Sequence, residues 1–156
     1  QNVGVNLKLS REVAKKMIAQ SIRQPDSGNA IGSIVNLSSI ASHRTLPDTL
    51  AYSVSSAALD QLTKSMAISL AESKIRVNAV AIGSVMSSSL RAKLAKNKFV
   101  LEDLIAATPL GRLGEASEAA EAVLFLASEK SSFITGTILT VDGGRSLLDR
   151  MPAAAY

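Results

Sequence analysis

The chain has 156 residues, 47% of them apolar and 19% charged, with no cysteine and one histidine. That composition suits one globular domain and excludes a disordered chain, a disulfide scaffold, a thiolate metal cluster and a multi-histidine metal site. A net charge of +4 favours anionic ligands, but Lys and Arg are scattered and aromatic residues make up only 3%, which speaks against a nucleic-acid surface. The longest apolar runs, such as Ala122 to Ala127, are far shorter than the ~18 residues of a membrane span, and no basic stretch leads into an apolar run at the start. The expectation is a soluble, cytoplasmic protein with no membrane partner.

In chain order, Val5, Leu9, Val13 and Met17 recur at steps of four and predict a helix that is already running within the first residues and ends near Ile22. Gln24-Pro25-Asp26-Ser27-Gly28 stops it. Gly32 to Leu37 is short, apolar and β-branched, and predicts a buried strand ending at Ser38-Ser39. A polar loop with His43, Arg44 and Pro47 leads to a helix from about Ala51 to Glu72, with Leu59, Leu62, Met66 and Leu70 on one face.

A second strand is expected over Ile75 to Ala81, then a loop with Gly83 and Ser87, Ser88 and Ser89, then weaker helices around Leu90 to Lys96 and Val100 to Ala106. Ser117 is placed to cap a helix carrying Val123, Leu124 and Leu126, and Thr137 to Val141 predicts a third strand closed by Asp142-Gly143-Gly144. Strands separated by long helical segments imply an α/β fold, a parallel sheet with helices on both faces in three layers, because parallel neighbours need a crossover. Such a sheet binds its ligand beyond the carboxyl ends of its strands, where Ser38, Ser39 and Ile82 to Ser87 lie.

Four pieces recur in order: Gly32-Ser33-Ile34-Val35-Asn36-Leu37-Ser38-Ser39, then Tyr52 opening the long helix, then Arg76-Val77-Asn78-Ala79-Val80, then Gly136 with Val141-Asp142-Gly143-Gly144. With these the chain resembles the C-terminal part of the short-chain dehydrogenase/reductase family, a partial Rossmann domain spanning 1–144 with a tail at 145–156. The resemblance implies hydride transfer between NAD or NADP and a small carbonyl or alcohol substrate, in a homodimer or homotetramer. It implies catalytic roles for Tyr52 as general acid, Ser39 as hydrogen-bond donor to the substrate oxygen, and Asn2 as support for a relay water. Tyr52, Ser56, Ile82, Gly83, Val85 and Ser87 take the cofactor-binding positions.

Three departures stand out. Position 56, where the family carries a lysine four residues after its tyrosine, is Ser56. A tyrosine ordinarily titrates near ~10, and a neighbouring ammonium stabilises its phenolate; a serine hydroxyl does not. Lys64 is two helical turns further on and rotated away, a poor substitute. Ile82-Gly83 stands for the family's Pro-Gly. No glycine-rich turn follows a strand to seat a pyrophosphate, since Gly28 to Gly32 precedes one.

Two readings therefore stand side by side: an oxidoreductase impaired in this chain, and a truncated or degenerate relative acting as a folded or assembly module. In the resembled fold the Gly32 to Leu37 strand is interior, and its neighbour on one side belongs to the half of that fold this sequence does not show, so the expectation is either a longer chain or an unusual packing of that edge. His43 reads as a solvated loop residue, because a Ser39–His43 hydrolase dyad lacks a third orienting group.

Overall fold

Three parallel strands, β1 (Gly32–Ser39), β2 (Ile75–Ile82) and β3 (Ile138–Val141), form one sheet in that spatial order. They are seen in a computed structural model that describes residues 2–23, 30–45, 47–94 and 99–147. Around the sheet lie α1 (Asn2–Arg23), α2 (Leu50–Leu70), α3 (Ser88–Leu94), α4 (Phe99–Ala106) and α5 (Ala116–Ala127), with 3-10 turns at Ile40–Ser42 and Glu129–Ser131. The α/β class and the parallel, helix-covered sheet expected from the sequence are what the chain adopts.

β2 is buried from Ile75 through Ala81 because it has a strand on each edge and a helix layer on each face. Alternation along β1 separates the two layers. Asn36 donates through Nδ2 to Thr63 Oγ1 of α2 at 2.9 Å, whereas Val35 and Leu37 face the opposite way and line a groove against α5. Ala14, Met66, Ala67, Ile75 and Val77 form the core under α1 and α2. Full burial of a side chain such as Ile75 or Val77 contributes about 1.5–3 kcal/mol.

Met17, near the end of α1, packs directly on Gly32, where an added side chain would have to displace the methionine thioether. α1 therefore runs antiparallel to β1, and its first turns reach the carboxyl end of the sheet.

The polar members of the Arg76-Val77-Asn78 run have a structural task. Asn78 Nδ2 donates to Ile134 O and its Oδ1 accepts from Thr137 N, while Val77 N donates to Thr135 Oγ1. Arg76, also buried, donates to Leu126 O, Ser131 Oγ and Ser128 O, so β2 holds the end of α5 and the entry to β3.

β1 ends at Ser38 and Ser39 as expected, both still paired, with Ala81 and Ile82. One expectation is corrected. The cap of α5 is Glu115, not Ser117: Glu115 and Glu118 form a reciprocal capping box, and Ser117 lies inside the first turn. Arg112 grips Glu118 with two 2.7 Å hydrogen bonds, and with the Glu115 backbone N–H it holds the Glu118 carboxyl down to about 2.

Candidate active site

The last residues of the three strands lie in one row, Ser39 opposite Ile82 and Ile82 opposite Val141. Ser39 is buried, and its Oγ accepts from Ala41 N at 3.2 Å, capping the 3-10 turn that packs against α2. α2 returns antiparallel to the strands, so its first turn, with Tyr52, lies at this same end. Tyr52 is 51% exposed, whereas Ser56, one turn on, is buried at 6%. Lys64 lies on the exposed face of α2.

Beyond β2 the chain is held by β3. Gly83 N donates to Val141 O at 2.9 Å, and a side chain at Gly83 would have its Cβ 2.5 Å from Asp142 Cβ and 2.7 Å from Asp142 Cα. Val85 bridges Gly114, and Ser87 Oγ accepts from Leu90 N at the start of α3. Ile82, Gly83, Val85 and Ser87 open together into a cleft of about 730 Å³, with Val35, Leu37 and α5 as its far wall. Four of the six predicted cofactor positions thus share one cavity.

Because a backbone atom blocks the way, Gly83→Ala is expected to separate β2 from β3 at their carboxyl ends and to cost about 1–3 kcal/mol. Equilibrium denaturation checks this; an unchanged midpoint would show that the turn yields freely.

Asp142 closes the row. Burial pushes its carboxyl up, but hydrogen bonds from Ser146 and the Gly144 N–H, with the charge of His43, outweigh burial and leave it below the ordinary value. Arg44 donates to Ser146 O at 2.7 Å and Arg145 donates to Ser84 Oγ, so residues 145–147 fold back over this end of the sheet. His43 is exposed and bonded to Ser42 Oγ, away from any nucleophilic pairing with Ser39.

Asn2 opens α1 at the site end, and its side chain lies outside the described ones. Asn6 stands one turn on, half-buried, on the inward stripe that continues through buried Ser10 and Ala14. The sequence reading passed over Asn6 because the apolar residues Val5 and Leu9 mark a neighbouring stripe, which the structure leaves 62% and 61% exposed. Gly28 and Asn29, weighed above as a phosphate turn, lie outside the described residues. Among the described residues no group of acidic or histidine side chains could hold a metal ion, and no helix is long and apolar enough to cross a membrane.

Comparison with known proteins places this geometry. The family model described as "Enoyl-(Acyl carrier protein) reductase" matches residues 4–146. L-xylulose reductase of Mesocricetus auratus is 40% identical over 92% of this chain and 55% of its own length. The 3-oxoacyl-[acyl-carrier-protein] reductase of Thermotoga maritima is 37% identical over 91% of this chain and 54% of its own. A crystal structure of a gluconate 5-dehydrogenase from Burkholderia cenocepacia, in complex with NADP and tartrate, superposes with a TM-score of 0.83 at 30% identity, covering 95% of this chain and 54% of that one. The chain spans about half the length of the curated relatives it matches. Motif order, sheet topology and sequence relatives converge, and the chain belongs to the short-chain dehydrogenase/reductase family.

Proposed function

We propose that this chain forms the substrate-facing part of an NAD- or NADP-dependent oxidoreductase site for a small carbonyl or alcohol. The observation that carries the reading is the row of strand ends with Ser39 opposite Ile82, where the turn through Gly83, Val85 and Ser87 opens into the cleft. When bound, the nicotinamide supplies or accepts the hydride. The described residues suit its nicotinamide end: the turn is bare at Gly83, polar at Ser87 and lies beside the cleft. They do not suit its pyrophosphate, because β1 runs into a 3-10 turn and no described strand passes through a glycine-rich turn into a helix.

In this reading Ser39 Oγ donates to the substrate oxygen and the Tyr52 hydroxyl passes it a proton. An asparagine in the first two turns of α1, Asn2 or Asn6, supports the relay water. Ser56 offers no ammonium, so proton transfer and cofactor binding are both impaired relative to a site with lysine there. Titration with NAD(H) and NADP(H), read by melting temperature and by turnover on a panel of carbonyls, tests the reading. A stabilised protein with turnover supports it; no shift and no turnover at millimolar cofactor rejects it. Ser56→Lys is expected to tighten cofactor binding about tenfold and raise the rate, and no gain in either would remove the lysine argument.

The second reading, a folded or assembly module, draws on exposed apolar side chains: Leu50, Val54 and Ile68 on α2, and Phe133, wholly exposed before β3. These faces suit a homodimer or homotetramer. Sedimentation at micromolar concentration is expected to show an oligomer, and a strictly monomeric boundary would count against that assembly.

A further inference from the structure

Three buried serines lie along the seam between β1, α1 and α2, just inside the turn that carries Tyr52. Ser10 is 5% exposed, Ser38 8% and Ser56 6%, and none of their hydroxyls has a partner among the described residues. Helix hydroxyls elsewhere in the chain bond back to their own helix: Ser21 to Ile18 O, Ser55 to Tyr52 O, Thr63 to Leu59 O and Ser69 to Ser65 O. Ser10 and Ser56 also sit in helices and forgo that bond.

Strand and helix periods bring the three together. Asn36 reaches Thr63, and Ser38, two residues on, keeps that face about 6.6 Å nearer the carboxyl end of the sheet. α2 runs the other way, so Ser56, two turns before Thr63 on the same stripe, lies about 10.5 Å nearer that end. Ser38 therefore falls between the levels of Thr63 and Ser56. Met17 packs on Gly32, which puts Ser10 near the level of Asn36 and Asn6 near that of Ser38. Tyr52 is one turn beyond Ser56 and half exposed. A buried hydroxyl without a partner costs free energy, and hydroxyls from three elements along one seam supply the two to four polar partners that an internal water takes.

We propose that ordered water fills this seam, held by Ser38 and Ser56 with Ser10 at its inner end, and serves as the proton supply behind Tyr52 in place of a charged neighbour. The inference rests on the oxidoreductase reading. In carbonyl reduction the nicotinamide gives the hydride and Tyr52 the proton; the water returns a proton to the Tyr52 oxygen, and solvent replaces it. Ser10 and Ser38 act as positioning residues for that water and touch neither substrate nor cofactor.

The test compares wild type, Ser10→Ala, Ser38→Ala and, as a control on the exposed face of α2, Ser69→Ala, all in the full chain. A crystal structure is expected to show water within about 3.2 Å of Ser38 Oγ. Deleting an idle buried hydroxyl leaves stability unchanged or raises it, whereas deleting one that holds water lowers it. Ser38→Ala is therefore expected to lose about 2–4 °C in melting temperature. On the panel's carbonyl substrate, Ser10→Ala and Ser38→Ala are each expected to lower kcat about tenfold and to change the solvent isotope effect, with KM and cofactor affinity unchanged. Ser69→Ala should match wild type. A dry seam, or a Ser38→Ala melting temperature at or above that of wild type, overturns the water site. Unchanged kcat in both variants, with the water present, overturns its role in proton supply. No turnover in wild type rejects the oxidoreductase reading and the proton role with it, while the density and the melting temperature still decide the water site.

Discussion

Arg76→Ala is expected to lower the free energy of unfolding by about 3–5 kcal/mol and the melting temperature by roughly 6–20 °C. The guanidinium bridges Leu126 O, Ser128 O and Ser131 Oγ at 2.9–3.0 Å, so its removal takes a charged donor from three acceptors around a buried seam at once, although Leu126 O and Ser128 O keep serine hydroxyl donors. A hydrogen bond to a charged group contributes about 1.5–3 kcal/mol, partly recovered where water enters. A cavity the size of the arginine stem adds to the loss. Arg76→Lys is expected to recover little, because one ammonium cannot reproduce a fork that reaches acceptors on both sides. Urea denaturation read at an unchanged m-value measures the effect, and a loss below 1 kcal/mol would show that the clamp carries no weight.

The second large effect concerns chemistry. On the carbonyl substrate that the panel identifies, Tyr52→Phe is expected to lower kcat/KM about 10²- to 10⁴-fold, since the hydroxyl that would donate the proton is the only group removed. Tyr52 is half exposed, so stability should stay within about 0.5 kcal/mol, and cofactor affinity should change little. Ser39→Ala makes an instructive contrast. It removes the proposed substrate contact together with the cap of the Ile40–Ser42 turn, and is expected to cost about 0.5–2 kcal/mol as well as activity. Retention of more than a tenth of wild-type kcat/KM in Tyr52→Phe would end the assignment of Tyr52 as general acid.

Much of this architecture was legible because periodicity is a local property. Leu59, Leu62 and Met66 mark the inward side of α2 by spacing alone, and the β-branched runs mark β1 and β2. The misplacement came where polar side chains are at home in two settings. Ser117 looks like a cap, but the side chains of Glu115 and Glu118 do that work earlier. The row joining Ser39, Ile82 and Val141 could be anticipated from the general rule for parallel sheets, whereas the Arg76 clamp could not: its partners are some fifty residues away in sequence. The same holds for the contact of Gly83 with Asp142, which depends on strand register.

The all-parallel sheet also sets the tempo of folding. Gly32 pairs with Ile75 and Ala79 with Ile138, so no two strands can zip together from a hairpin, and each pairing waits for a long intervening segment to close. Chains dominated by such distant pairings fold in milliseconds to seconds, well behind helical bundles of equal size. During that interval α1 and α2 can form on their own, while the apolar β2 remains without its neighbours and exposed to other chains. Recovery from denaturant should therefore fall as protein concentration rises, a kinetic penalty written into the strand order.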